Sequence, residues 1–252
     1  MAFDDDIALS PTGEGAIAAG WATPRGPHGG YVMAIVANAM QRAADRRPRS
    51  LTAHFLRPPR VGPVSVHTTV ERAGRSMTTI SARMEQDGKP IALALGAFSG
   101  AYEAPELGEV PMPAVDPPRA TAEPLPGAPP FAQRLALQPR FGEPPLSGSR
   151  SGEAGGWIDL PETSALDGPA LCVLADGYHP AIWPRLTELH AAPTIDLTVH
   201  VRAALPVRGP LLARFTTRLV RDGFFEEDGE LWAQDGTLVA QSRQLALLLP
   251  VT

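Results

Sequence analysis

SLTAHFLRP at residues 50–58 and DLTVHVRAA at residues 196–204 lie 146 positions apart and share Leu-Thr-x-His. A second pair follows in the same order: QDGKPIALALGAF (86–98) and QDGTLVAQSRQLA (234–246), at an offset of 148. Two added residues in the second half reconcile the offsets. Either match alone is weak, but two in order mark an internal duplication. A helix-like run precedes each pair, GGYVMAIVANAMQRAADRR (29–47) in the first half and GPALCVLADGYHPAIWPRL (168–186) in the second. Each half therefore reads as a short strand, a strand, a long apolar helix and four strands of period-two patterning.

The stretch between the copies is different in kind. Twelve of the 28 prolines fall in residues 104–149, in runs such as PMPAVDPPRA and EPLPGAPP. Proline donates no ladder hydrogen bond and fixes φ, so this segment is an extended connector. The expected division is an N-terminal domain over 1–103, a linker over 104–130 and a C-terminal domain over 131–252. A strand within FAQRLALQPRFG opens the last of these. A helix apolar nearly all round must be covered on most sides. An antiparallel sheet curling around one long helix does this in each half, which is the α+β hot-dog arrangement, here in tandem. Two independent α+β domains on a linker are the alternative.

Composition narrows the function classes. The chain has 252 residues, a net charge of −5 and 44% hydrophobic residues. That balance fits a globular protein and argues against a general nucleic-acid surface, which wants a basic excess. One cysteine, Cys172, rules out an intrachain disulfide framework and any multi-cysteine metal site. No apolar run approaches the roughly 18–20 residues that span a bilayer. The start, MAFDDDIALSP, is acidic where a secretory leader is basic and then apolar. The expectation is a cytoplasmic protein without a membrane or nucleic-acid partner.

The last strand carries an anomaly. Alternation places Leu238, Ala240, Ser242, Gln244, Ala246 and Leu248 on one face. A long amide, Gln244, stands among small and apolar residues there. The second helical run carries another, Asp176, whose helical neighbours Cys172, Val173, His179 and Pro180 include no basic partner at neutral pH except a protonated His179. A carboxylate on such a face is either partly wet or costs several kcal/mol unless other groups satisfy it. Aligning the halves puts Asn38 under Asp176, Pro48 under Thr194 and Gly96 under Gln244. The first half lacks the acid and two of the polar side chains. If Asp176, Thr194 and Gln244 form a working set, the chain holds one such set.

At these residues the chain resembles the acyl-CoA thioesterase II family, the double hot-dog thioesterases. The first-half motifs HGGYVMAIVANAM, LTAHFLRPPRVGPV, ERAGRSMTT and QDGKPIALALGAF are similar to that family's Gly-Gly helix start, Phe-Leu-Arg-Pro strand end, Gly-x-Ser hairpin and final strand. ADGYHPAIW, APTIDLTVHVRA and AQDGTLVAQSRQ match in order in the second half. The resemblance implies hydrolysis of a fatty acyl-CoA by a water held by Asp176, Thr194 and Gln244; no cofactor or metal is expected. Its departures are the proline-rich connector and the close succession of Gly177, His179 and Pro180, which bear on pocket shape.

Negative charge on the tetrahedral intermediate needs N–H donors, which a helix start supplies. Gly30 and Gly168 are the two candidates. Gly30 is favoured, because single-domain hot-dog thioesterases pair one subunit's helix start with the other's acid; close packing of the helix explains the glycines equally well. His28 either touches substrate or caps and packs. Hot-dog sheets associate edge to edge or back to back, so a homodimer is expected. The rival functions are a double hot-dog enoyl-CoA hydratase and a non-catalytic acyl-CoA-binding protein. The hydratases' Asp-x-Asn-Pro-x-His pattern is only partly matched by DGYHPAIW, and no P-loop, nucleophile elbow or His-Glu-x-x-His motif is present.

Overall fold

The structure is a computed structural model and describes residues 2–122, 127–163 and 165–251. The first half contributes strands β1 (Glu14–Ile17), β2 (Pro48–Phe55), β3 (Gly62–Ala73), β4 (Met77–Gln86) and β5 (Lys89–Ser99). The second contributes β6 (Ala136–Phe141), β7 (Glu153–Asp159), β8 (Thr194–Val201), β9 (Leu211–Thr216), β10 (Phe224–Trp232) and β11 (Leu238–Leu247). They form one antiparallel sheet in the order β1-β3-β4-β5-β2-β8-β11-β10-β9-β7-β6, and a short strand, Val220–Arg221, pairs with β10. The β4–β5 hairpin turns on Asp87-Gly88, both at positive φ (52° and 69°), as a two-residue turn of this kind requires.

The order is the duplication made visible. Strands β2 and β8 carry the Leu-Thr-x-His repeats and pair with each other at the centre. Beyond them β5 and β11, then β4 and β10, then β3 and β9 occupy matching places on either side. Thr52 stands directly opposite its own copy, Thr198, and their hydroxyls are hydrogen-bonded at 3.0 Å. Leu51 and Ala53 face inward on one strand, Leu197 and Val199 on the other, and all four are buried. A single apolar core thereby runs through both halves. This is the tandem hot-dog fold.

Two helices pack on one face of the sheet. Helix α1 (Gly29–Ala43) is buried from Gly30 to Ala37 and again at Ala39 and Met40. It packs against β2, β3, β4 and helix α2. Helix α2 (Gly168–Leu174) is buried at all seven positions and much shorter than the 168–186 run led us to expect. The cause is local. Pro180 has no N–H to offer the Asp176 carbonyl four residues back, and it disfavours helical geometry at His179. Gly177 fits against Ile158 and Leu135, where a Cβ would come within 2.4 Å of Ile158. Asp176 therefore sits just past the helix end instead of within a helix.

The two helices run antiparallel. Gly30 at the start of α1 meets Cys172 and Asp176, while Gly168 at the start of α2 meets Gln41 near the end of α1. On the opposite face, part of the proline-rich connector crosses the second half. Trp157 and Trp232 donate through their indole nitrogens to the Asp116 and Val110 carbonyls (2.8 and 3.0 Å). Met112 and Val115 pack on Trp157, Leu212 and Trp232.

Candidate active site

Period-two alternation on β11 points Gln244 inward, where it is 6% exposed between buried Ser242 and Ala246. Its two ends have separate partners. The Thr194 hydroxyl donates to Gln244 Oε1 at 2.9 Å, and Gln244 Nε2 donates to Glu227 Oε1 at 2.7 Å. Thr194 opens β8 opposite Ala246, and the register shifts between Thr194 and Asp196. Such a bulge re-aims a side chain, here bringing the Thr194 hydroxyl diagonally onto Gln244.

Glu227 was not singled out in the sequence. It lies in FFEEDGELW, where Glu226, Glu227 and Asp228 look like a solvated charge run. The usable signal was the alternation of Phe225, Glu227, Gly229 and Leu231, all of which are buried on β10. Glu227 stands directly opposite Gln244 in the sheet. Its second oxygen accepts the Ala181 N–H at 2.6 Å. Burial pushes its carboxyl group up to about 7, and the charges of Asp176 and Asp228 add to that rise.

Asp176 is held from the other half of the molecule. Its Oδ2 accepts the Gly30 N–H at 2.7 Å. His28 caps α1, its Nδ1 accepting the Tyr31 N–H at 3.2 Å, so the ring hydrogen is on Nε2. That nitrogen lies 2.7 Å from the Asp176 carbonyl and 3.2 Å from Oδ2. The carbonyl orphaned by Pro180 is thus satisfied by His28. His28 is itself buried and stacked on Phe131 at 4.3 Å. The cap and the contact with the acid are one arrangement.

Gly30 proves indispensable to this packing. A Cβ there would lie 2.5 Å from the Cys172 carbonyl oxygen and 2.9 Å from Asp176 Cβ. The glycine admits the end of α2 and leaves its N–H pointing at the acid. Gly168 does not join the cluster: it stands at the opposite end of α2, against Gln41, Pro48 and Leu51. His179 turns away from Asp176 and stacks on Trp183 at 6.3 Å.

The structure therefore forms two groups, Thr194–Gln244–Glu227 and Asp176–Gly30–His28, and they lie within electrostatic reach of each other. A carboxylate on a helix N-terminus beside a hydroxyl–amide pair can take a proton and orient a water. The counterparts in the first half are used otherwise. Asn38 donates to the Ile7 carbonyl at 2.8 Å, Pro48 packs on Gly168, and Gly96 lies against Phe98 and Leu51. Arg57, in the Phe-Leu-Arg-Pro motif, donates to the Pro90 carbonyl, and Arg60 pairs with Asp87.

Comparison with known proteins bears on what such a site serves. Residues 17–99 match the family model of the acyl-CoA thioesterase N-terminal domain, and residues 110–248 match that of the acyl-CoA thioesterase C-terminal domain. The chain belongs to the acyl-CoA thioesterase family. Among solved structures it is similar to a hot-dog-fold protein of unknown function from Alicyclobacillus acidocaldarius, at 27% identity and a TM-score of 0.90 over 99% of this chain and 98% of that one. It is also similar to a candidate thioesterase II from Thermobifida fusca, at 29% identity and a TM-score of 0.86, with the same coverage. A curated relative, the uncharacterized protein Rv0499 of Mycobacterium tuberculosis, is 26% identical over 93% of this chain and 90% of its own. Family membership thus rests on both halves.

Proposed function

We propose that this protein hydrolyses an acyl-CoA thioester to the free acid and CoA, with Asp176, Thr194 and Gln244 holding the attacking water. The observation that carries the reading is the Asp176 carboxylate seated on the α1 start by Gly30 and His28, in a chain of this family. Thr194 and Gln244 fix the water without titrating near neutrality. Asp176 accepts a water proton as the oxygen attacks the thioester carbon. The tetrahedral intermediate then collapses, the C–S bond breaks, and the proton on Asp176 passes to the departing sulfur.

Negative charge leaves Asp176 and appears on the thioester oxygen in the attack step. The Gly30 N–H, which holds the Asp176 carboxylate, is then released to meet the oxyanion as the charge moves to the thioester oxygen. We place the oxyanion at α1 and not at Gly168, because only the α1 start adjoins Asp176.

The test is release of free thiol from a panel of acyl-CoAs differing in chain length. The expected result is turnover of at least one member. Hydration of crotonyl-CoA without thiol release would show a hydratase instead. Binding without either reaction would show an acyl-CoA carrier.

A further inference from the structure

Glu227 is a buried acid to which the water-holding trio assigns no task. A carboxylate only accepts hydrogen bonds, so it must be met by the nitrogen end of the Gln244 amide. Nε2 does meet it, at 2.7 Å. The carbonyl end is thereby turned to Thr194, whose hydroxyl donates to it at 2.9 Å. A hydroxyl that has given up its one hydrogen this way presents only lone pairs to anything else. Thr194 Oγ1 can then accept a hydrogen but cannot donate one.

We propose that Glu227 is a positioning residue that sets the direction of this chain, so that the water gives one hydrogen to Thr194 Oγ1 and keeps the other for Asp176. The proposal rests on the thioesterase reading for its consequence, though not for its geometry. With Glu227 protonated, its O–H would donate to Gln244, the amide would turn over, and Nε2 would face Thr194. The freed Thr194 hydroxyl would then donate to the water, taking up one of its two lone pairs and weakening the oxygen as a nucleophile.

One further contact supports the assignment, and the electrostatics agree with it. The Ala181 N–H holds the second carboxylate oxygen at 2.6 Å, so Glu227 is fixed at both oxygens. Its proton also comes and goes in a useful range, since burial lifts the group to about 7. The charges that act on it are Asp176, from the end of α2, and Asp228, its neighbour on β10, which Arg243 and Arg218 pair. From β11 it is faced by neutral Gln244, and from the 177–182 loop by the Ala181 N–H, with His179 of that loop stacked on Trp183.

The experiment follows the Gln244 side-chain NH2 resonances of the full-length protein by nitrogen-15 NMR as pH is varied, assigned by their loss in Gln244→Ala. They are expected to shift with a midpoint near 7 in the wild type and to lose that shift in Glu227→Gln. No titration in the wild type would overturn the proposal, even if Glu227→Gln failed to fold. In parallel, kcat is expected to rise with pH through about 7 in the wild type. Glu227→Gln should lose that limb and lower kcat about tenfold, with KM within about twofold. An unchanged kcat and limb would also overturn it. Titrating resonances in a protein that cleaves no acyl-CoA would leave Glu227 orienting Gln244 and remove only the hydrolase reading.

Discussion

The Glu227 carboxyl group is the most heavily burdened ionisable group of the site, and its burden has a thermodynamic signature. Burial raises it from the ordinary glutamate range to about 7. Across that window the folded protein keeps a proton that the unfolded chain has released, so stability falls as pH rises through it. By about pH 8 the penalty is complete, on the order of 3 kcal/mol. Glu227→Gln cannot lose a proton there. Chemical denaturation at a series of pH values should show the variant gaining on the wild type from about pH 4.5 to 8, and parallel curves would contradict this.

Residues of the site differed in how legible they were. Gln244 stood out because a two-residue period exposes any polar intruder. Glu227 obeyed the same period but was camouflaged by charged neighbours on both sides. Asp176 stood out for lacking a basic partner, and its partner proved to be His28, 148 residues earlier. No pattern within one segment reveals a contact at that separation.

Among the elements, the central strand pair was read most directly from the sequence. The repeated Leu-Thr-x-His marked two equivalent strands, and each inward pair falls into one core where they meet. That they would pair with each other was not readable, because alternation specifies a face and not a neighbour. The Thr52–Thr198 hydrogen bond across this seam should be worth up to about 1 kcal/mol. A double-mutant cycle with Thr52→Val and Thr198→Val is expected to give a coupling energy of about 0.5–1 kcal/mol. Strict additivity would mean that the hydroxyls do not help join the halves. In the second helical run apolarity continues past Leu174, so the pattern alone suggests a longer helix than forms. Pro180 outweighs that apolarity, and the interruption is what turns the Asp176 carbonyl toward His28.

At the scale of the whole molecule, duplication accounts for where the proposed site lies. Two like halves facing each other across β2 and β8 bring each helix start against the other helix's end. One of these junctions holds Asp176, and the other is filled by Pro48, Leu51 and Gln41 around Gly168. Further ties keep the halves in place: Arg134 pairs with Asp6 near the N-terminus and with Glu162 in the second half. The central claim is that Asp176, seated in this junction, is the base for hydrolysis. The most direct test is the rate of CoA release by Asp176→Asn, whose amide oxygen can still accept the Gly30 N–H and preserve the fold. A fall in kcat of about 100-fold, with an unchanged denaturation midpoint, is predicted; wild-type turnover in that variant would contradict the account.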